Sequence, residues 1–415
     1  MTGLRAEPKA ESAAGDRRLL LGVVLAVTGL GIGIGVVAGL AGWQLGADSA
    51  VYRAGALSLL HDRPLYGTGL LEFLPNWATL PFIYPPSAAM LFAPLATVPV
   101  GLAWGLFVAA SVLGVFAVVR AVLGTVRAGS DWGAPAWVAS GTAAVGLTVL
   151  LLALEPVWKT LFLGQINLIL MTLVVLDVLV VGAAGKRWGG VLVGVAAAVK
   201  LTPLIFIAHL LVLGRRADAA RGLCTFAGLQ VLTFALVPWQ AAGYWSDVGT
   251  DLELVNTGNW IFNQSLNGMM IRLADGAVWS TDVAVAVGAL LAMPAVWLVR
   301  QYAMRGDAAA ALLVTAFYGL LLSPLSWSHH WVWVVPFVVL LVARGRWLAA
   351  GAAFLGFASC VVMIVPNGRD TEFNWGPVEF VFGNAYVFFP VLLGAVLCAR
   401  ALTGPSRVGV PSHPG

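Results

Sequence analysis

Asp48, Lys200 and the adjacent pair His329 and His330 are ionisable side chains set at or inside long apolar runs. Asp48 stands in Gly46-Ala47-Asp48-Ser49-Ala50-Val51-Tyr52-Arg53, directly after the first such run. A carboxylate at an apolar boundary has its anion disfavoured, which raises its proton affinity toward the range of a general base. The same residue ahead of Ser-Ala-Val-Tyr also suits an N-cap on a following helix. Lys200, in Val199-Lys200-Leu201-Thr202-Pro203, is a basic residue in a hydrophobic interior. Burying that charge costs roughly 2.5–3.5 kcal/mol. A phosphate or carboxylate partner would offset the cost, and snorkelling to an interface would avoid it. His329 and His330 lie in Ser326-Trp327-Ser328-His329-His330-Trp331. Neighbours on a helix point about 100° apart, so the pair is ill suited to holding one metal together. Either one imidazole faces a cavity while the other packs, or the motif is an interfacial tryptophan belt with polar fillers.

Amides extend the set. Gln165 and Asn167 occur in Gly164-Gln165-Ile166-Asn167, and Asn263 and Gln264 precede Ser265, Asn267 and Arg272. Each amide offers both a donor and an acceptor, which suits a hydroxyl-rich ligand, although loop polarity accounts for them equally well.

The elements that must hold these groups are membrane helices. The chain has 415 residues, 60% hydrophobic and 10% charged, where a soluble domain carries roughly 25% charged residues. Its net charge of +4 is scattered singly and in pairs between apolar runs, so nucleic acid is not a partner. Cys224, Cys360 and Cys398 show neither disulfide nor zinc spacing. No phosphate-binding glycine loop, dinucleotide fingerprint, zincin motif or serine elbow is present. No metal and no cofactor is therefore expected, and an enzyme of this build would take its activated substrate from the lipid.

A helix needs roughly 20 apolar residues to cross a bilayer, and cytoplasmic ends collect Lys and Arg. The first span, about Leu19 to Trp43, is too long for a cleaved signal. The thread continues outside to about Ser87, then through about Val98–Val119, Pro135–Leu154, an exposed Glu155–Gln165, and Ile166–Ala184. Trp188–Gly214 has basic residues at both ends and Lys200 and Pro203 at its middle, so it reads as two broken helices beside a cavity. Later passes fall near residues 219–239, 283–299, 308–323, 331–343, 348–365 and 386–402. Asp177, inside one span, is expected to pair with a neighbouring helix. The expected fold is an all-α polytopic membrane protein of about 12 helices, with broken or re-entrant segments and helical outer loops. Residues 18–403 form one membrane-embedded domain, flanked by disordered cytoplasmic tails at 1–17 and 404–415. Both termini are expected inside, and the working face outside the plasma membrane.

Seven short motifs, in order, carry a resemblance: Asp48 to Gly55, Pro64 to Tyr66, Tyr84 to Pro86, Gly164 to Asn167, Lys200 to Pro203, Asn263 to Leu266, and Ser326 to Trp331. Together they resemble glycosyltransferase family 87, polyprenyl-phosphate-mannose-dependent mannosyltransferases of the membrane-embedded C-type fold. The resemblance implies inverting transfer of mannose from polyprenyl phosphomannose to a phosphatidylinositol mannoside or lipomannan acceptor, giving an α-1,2 linkage. It implies an aspartate base in the first outer loop, which falls on Asp48, with His329 or His330 assisting. Donor contacts then fall on Lys200, Tyr84, Gln165, Asn167 and Trp327, and acceptor contacts on Tyr52, Arg53, Asn263 and Gln264. Tyr84, Trp327 or Tyr52 would stack against sugar rings. A phosphate leaving group departs as an anion, so one base suffices where a glycosidase needs two carboxyl groups. A transporter or flippase for a lipid-linked sugar, and the same fold transferring arabinofuranose, remain the alternatives. Oligomeric state is not legible.

Overall fold

A computed structural model describes residues 7–67, 69–127, 138, 140–248 and 258–403. Among these residues the chain is helical, and its extended pairing is a single bridge between Asn263 and Trp327. The segment expected as a C-terminal tail, 404–415, lies outside the described residues, as do 1–6. Helix α1 (Glu7–Leu40) begins within the stretch read as an N-terminal tail.

α1 is followed by a short helix, α2 (Ala47–Leu60), and an irregular stretch leads to α3 (Pro86–Leu91) and the long α4 (Val100–Arg127). α5 (Gly141–Leu151) and α6 (Glu155–Leu163) meet at a 77° bend. α7 (Asn167–Leu176) runs into a wide turn at Asp177–Val181, and α8 (Val191–Val199) is separated from α9 (Ile205–Val212) by a break at Lys200. Then come α10 (Arg216–Leu236), α11 (Pro238–Gly243), α12 (Leu266–Leu273), α13 (Ser280–Met304) and α14 (Ala308–Leu322). A 3-10 turn at Ser328–Trp333 leads into α15 (Val334–Ala343). α16 (Trp347–Ala358), α17 (Val361–Ile364), α18 (Pro377–Gly383) and α19 (Ala385–Thr403) complete the chain.

Among the described residues six helices are long and apolar enough to cross a membrane: Gly15–Leu40, Val100–Thr125, Arg216–Leu236, Ser280–Met304, Trp347–Ile364 and Ala385–Thr403. Their outward faces carry exposed Leu25, Leu30, Val231, Leu290, Leu355 and Leu392, a surface suited to lipid rather than water. The protein is thus a helical, multi-pass membrane protein. Also apolar among the described residues are the bent α5–α6 pair and four shorter runs of helix, Asn167–Val181, Thr202–Val212, Ala308–Leu322 and Ser328–Ala343.

Two packing details fix the site-bearing end. α1 packs chiefly on α4, and the contact is a seam of small residues, Gly31 and Gly35 against Gly101 and Gly105. A Cβ added to Gly31 would lie 2.7 Å from the Gly105 carbonyl oxygen. Such i, i+4 glycines let two helix backbones touch. Asp177 accepts from the backbone N–H groups of Gly190 (2.6 Å) and Val193 (3.0 Å), the free donors at the start of α8. The expected helix pairing of Asp177 is therefore an end cap, and it ties α7 to the helix that delivers Lys200.

The segment expected as an exposed loop, Glu155–Gln165, is instead mostly α6, with the Glu155 side chain fully buried. The reason is local. Pro156 favours a helix start, and the Glu155 carboxylate gathers Lys159 (3.4 Å), the Ser328 hydroxyl (2.8 Å) and the Tyr386 hydroxyl (3.1 Å), so its burial is compensated.

Candidate active site

The carboxylate that could equally have been a helix cap is not one. α2 starts after Gly46, a left-handed residue (φ 78°), with no side-chain cap, and Asp48 sits in its first turn. Asp48 Oδ1 instead accepts from the Gln165 side-chain amide at 3.0 Å. Gln165 follows Gly164, also left-handed (φ 63°), which ends α6. A Cβ on either glycine would strike Ser49 and Trp104, so these two tight turns are what bring residues 48 and 165 together.

Behind Gln165 stands a buried phenol pair. Tyr52, one turn beyond Asp48 on the same helix, donates to Gln165 Oε1, and its hydroxyl is 3.0 Å from that of Tyr84. Gln165 Nε2 also approaches Tyr84 Oη at 3.1 Å. Tyr84 is held in turn by Tyr66, which donates to its carbonyl (2.6 Å), and the following Ser87 donates to Ala198 of α8 (2.6 Å). The Gln165 amide thus has a fixed orientation, with its oxygen toward Tyr52 and its N–H groups toward Asp48 and Tyr84.

Lys200 caps the C-terminal end of α8 in extended backbone, where the helix carbonyls favour a cation. Its ammonium donates to Asn167 Oδ1 (3.1 Å) and to His330 Nε2 (3.1 Å), and the Tyr84 ring centroid is 5.9 Å away. Accepting at Nε2 leaves the His330 proton on Nδ1. The Asn167 amide donates to the His329 carbonyl (3.2 Å), joining α7 to the histidine turn. The His329 and His330 rings are perpendicular, with centroids 4.9 Å apart, so they diverge as their adjacency requires. His330 is the member that meets Lys200, whereas His329 is buried, with Nδ1 unpartnered among the described residues. Asn167, Lys200 and His330 line a small cavity of about 60 Å³ with Ser323, Ser326 and Trp333.

Asp48 lies in α2, outside the spanning helices, and is partly exposed at the rim. Enclosure by protein raises its carboxyl to about 7, against the opposing pull of the Lys200 ammonium. That places the group where it can both lose and accept a proton near neutral pH. Among the described residues no three histidine, cysteine or carboxylate side chains converge as a metal site would need.

A family model, Glycosyltransferase family 87, matches residues 82–324. The chain belongs to glycosyltransferase family 87. It is 32% identical over 408 residues to a Mycobacterium tuberculosis H37Rv protein named polyprenol-phosphate-mannose-dependent alpha-(1-2)-phosphatidylinositol mannoside mannosyltransferase, covering 90% of each chain. A Mycolicibacterium smegmatis protein of the same name is 32% identical, covering 88% of this chain and 89% of its own. A pentamannoside mannosyltransferase of Mycobacterium tuberculosis CDC 1551 is 33% identical over 77% of this chain and 71% of its own. No solved structure matches. As a member of family 87 the protein is a glycosyltransferase.

Within this family 87 chain the expected site residues divide. Asp48, Gln165, Tyr84, Lys200, Asn167 and His330 form one connected set. Tyr52, expected to stack on a sugar, is fully buried behind Gln165, with its hydroxyl engaged by Gln165 and Tyr84. Arg53 donates to the Val98 carbonyl (2.6 Å). Asn263 and Gln264 are also fully buried, and their amides are engaged by protein. Asn263 Oδ1 accepts from Ser326 N (3.0 Å) and Ser265 Oγ (2.9 Å), while Gln264 donates to the Ile261 and Gly383 carbonyls. These bonds hold Ser326–Trp327 and hence the histidine turn. Trp327 is half-buried, with its ring 6.0 Å from Trp260. Missed by sequence reasoning was Lys159, whose ammonium donates to Ser328 Oγ (2.9 Å) next to His329 and lies 3.4 Å from the Phe262 ring centroid. Its signal was the Glu155–Lys159 spacing of four in an apolar helix.

Proposed function

We propose that this enzyme transfers mannose, with inversion, from polyprenyl phosphomannose to a hydroxyl of a phosphatidylinositol mannoside or lipomannan acceptor, forming an α-1,2 linkage. The names of its relatives supply the donor, the sugar and the acceptor class. The observation that carries the chemistry is the Asp48 carboxylate, raised to about 7 and oriented by Gln165, in a set that also holds the Lys200 ammonium.

Asp48 removes the proton of the acceptor hydroxyl as that oxygen attacks the anomeric carbon from the face opposite the phosphate. The new glycosidic C–O bond forms while the anomeric carbon–phosphate oxygen bond breaks, and its electron pair leaves with the polyprenyl phosphate. The leaving group needs no proton. Lys200 stabilises the departing phosphate, held by Asn167 and assisted by His330, with His329 packed behind. Gln165 and Tyr84 line the donor side and Trp327 offers an aromatic face for a sugar ring. The acceptor residues expected from the sequence, Tyr52, Arg53, Asn263 and Gln264, act in this reading by positioning the helix and loops that receive it. The finer fold reading is a C-type arrangement of about 12 passes with both termini cytoplasmic, residues 18–403 as one domain, and the site facing out of the plasma membrane.

The polar groups gather at helix ends, the C-termini of α6 and α8 and the N-termini of α2 and α7. Ends of broken helices also build transporter sites at the membrane midplane, so turnover without sealed compartments is the measurement that separates the two. Purified protein given synthetic polyprenyl phosphomannose and a phosphatidylinositol dimannoside should form product in detergent, without sealed compartments. Failure in detergent together with gradient-dependent uptake in vesicles would establish transport instead. A polyprenyl arabinofuranosyl phosphate should give no product.

A further inference from the structure

A cavity of about 1790 Å³ opens between α13, α14, α15, α16 and α19, well above the roughly 300–1,000 Å³ of ordinary ligand pockets. It does not belong to the site above. His330 and Arg344 flank α15 on opposite sides, and that helix of 10 residues alone is about 15 Å long. The inner wall is aromatic, with Phe317, Phe337 and Phe389 in mutual ring contact and Phe357 against Phe389. Gly356 of α16 and Gly394 of α19 also line it, and a Cβ added to either would meet nothing within 4 Å, so open space reaches the backbone on both sides.

The end away from the site is basic. Arg120, Arg305, Arg344, Arg346 and Arg400 all line it. Asp307 neutralises Arg344, and Asp16 lies 3.7 Å from Arg120. Arg305, Arg346 and Arg400 are exposed, and no carboxylate among the described residues pairs with them. An apolar chamber between membrane helices, ending in unmatched guanidinium groups, is complementary to a molecule with hydrocarbon chains and an anionic head. Guanidinium matches a phosphate by paired hydrogen bonds.

We propose that this cavity is a binding site for an anionic phospholipid, its phosphate against Arg305, Arg346 and Arg400 and its acyl chains among the phenylalanines. The acceptor of the proposed function is also an anionic phospholipid, but this cavity shares no lining residue with the one that holds Lys200 and His330, so the lipid here is a separate molecule. It fills a chamber whose deep end includes Tyr386, the residue that donates to Glu155 beneath the histidine turn.

The test is native mass spectrometry of the full chain in detergent, titrated with phosphatidylglycerol or phosphatidylcholine. The wild type should retain one phosphatidylglycerol with at least about tenfold preference over phosphatidylcholine. The triple variant R305Q/R346Q/R400Q should lose that preference. G356L/G394L, which adds side chains where space is free, should lose retention of both lipids while keeping its elution volume and Tm. Removing the exposed basic residues Arg187 and Arg216, which do not line the cavity, by R187Q/R216Q should change nothing. Equal retention of the two lipids, preference surviving in the triple variant, or retention surviving in G356L/G394L would each overturn the proposal. So would displacement of phosphatidylglycerol by equimolar polyprenyl phosphate, which would give the cavity to the spent carrier. None of these readouts depends on transferase activity.

Discussion

Asp48→Asn isolates the base, because it keeps the shape of the side chain and leaves an amide oxygen for Gln165 to donate to. Removing a positioned general base costs about 10²–10⁴ in rate, equivalent to about 3–5.5 kcal/mol of barrier at about 1.36 kcal/mol per decade. The loss should fall on kcat, with donor KM changed by less than about threefold. The pH dependence is the sharper measure. The carboxylate form is the active one and the group sits at about 7, so wild-type kcat/KM should rise tenfold per pH unit below neutrality and level off above it. At pH 5 it should be about a hundredfold below the plateau. In Asp48→Asn the residual activity should be flat across that range. Stability moves the other way. A carboxyl held above its usual range contributes stability at low pH that is lost as pH rises toward 7, so at pH 8 the Asn variant should melt no lower than wild type. The assay is radiolabelled mannose transfer with purified protein between pH 5 and 9, beside a thermal melt. An Asp48→Asn enzyme that keeps the wild-type acid limb would show that another group titrates, and the assignment of the base would fail.

Lys200→Ala should raise the donor Kd by tenfold or more, with Lys200→Arg recovering part of it; a fluorescent polyprenyl phosphate titration that finds equal affinity would remove Lys200 from the phosphate site. Gln165→Glu sets a like charge beside Asp48, which should push the acid limb of the pH profile upward by about one unit; an unmoved limb would mean that Gln165 does not touch the titrating group. Asp177→Ala removes two bonds to the start of α8 and should cost about 1–3 kcal/mol of stability, read as a lower Tm, with donor Kd raised because α8 carries Lys200. Tyr52→Phe should lower kcat several-fold without changing acceptor KM, since the buried phenol braces Gln165 and Tyr84 rather than meeting the acceptor; a KM effect alone would restore Tyr52 to the acceptor contacts.

How much of this was legible follows from what each residue's neighbours encode. The break at Lys200 and Pro203 is visible because a charge and a missing N–H both interrupt an apolar run, and two short helices flank it as expected. The ends of most apolar helices fall close to the expected passes for the same reason. Glu155 was misread as exposed because its compensation comes from Ser328 and Tyr386, far along the chain, which periodicity cannot report. The amides divided unpredictably. Gln165 reaches Asp48, whereas Asn263 and Gln264 turn to backbone, and nothing in Asn-Gln-Ser distinguishes a ligand contact from a loop brace. Tyr52 lies one turn from Asp48 and so shares its helix face, but which neighbour that hydroxyl meets depends on how α6 and α7 pack. The paired glycines of α1 and α4 were readable in principle, from their spacing of four inside two apolar spans.

Those glycines also bear on the order in which the molecule assembles. α1 is synthesised before α4, yet the groove that receives it belongs to α4, so it waits in the bilayer until the chain has been made to about Arg127. That docking sets α2 against α4, and Asp48 at the head of α2 reaches its partner only when Gln165 has followed. A bulky side chain at Gly105 would therefore act early, stranding the amino-terminal helix during insertion and leaving a full-length protein, present in the membrane, whose catalytic end never closes.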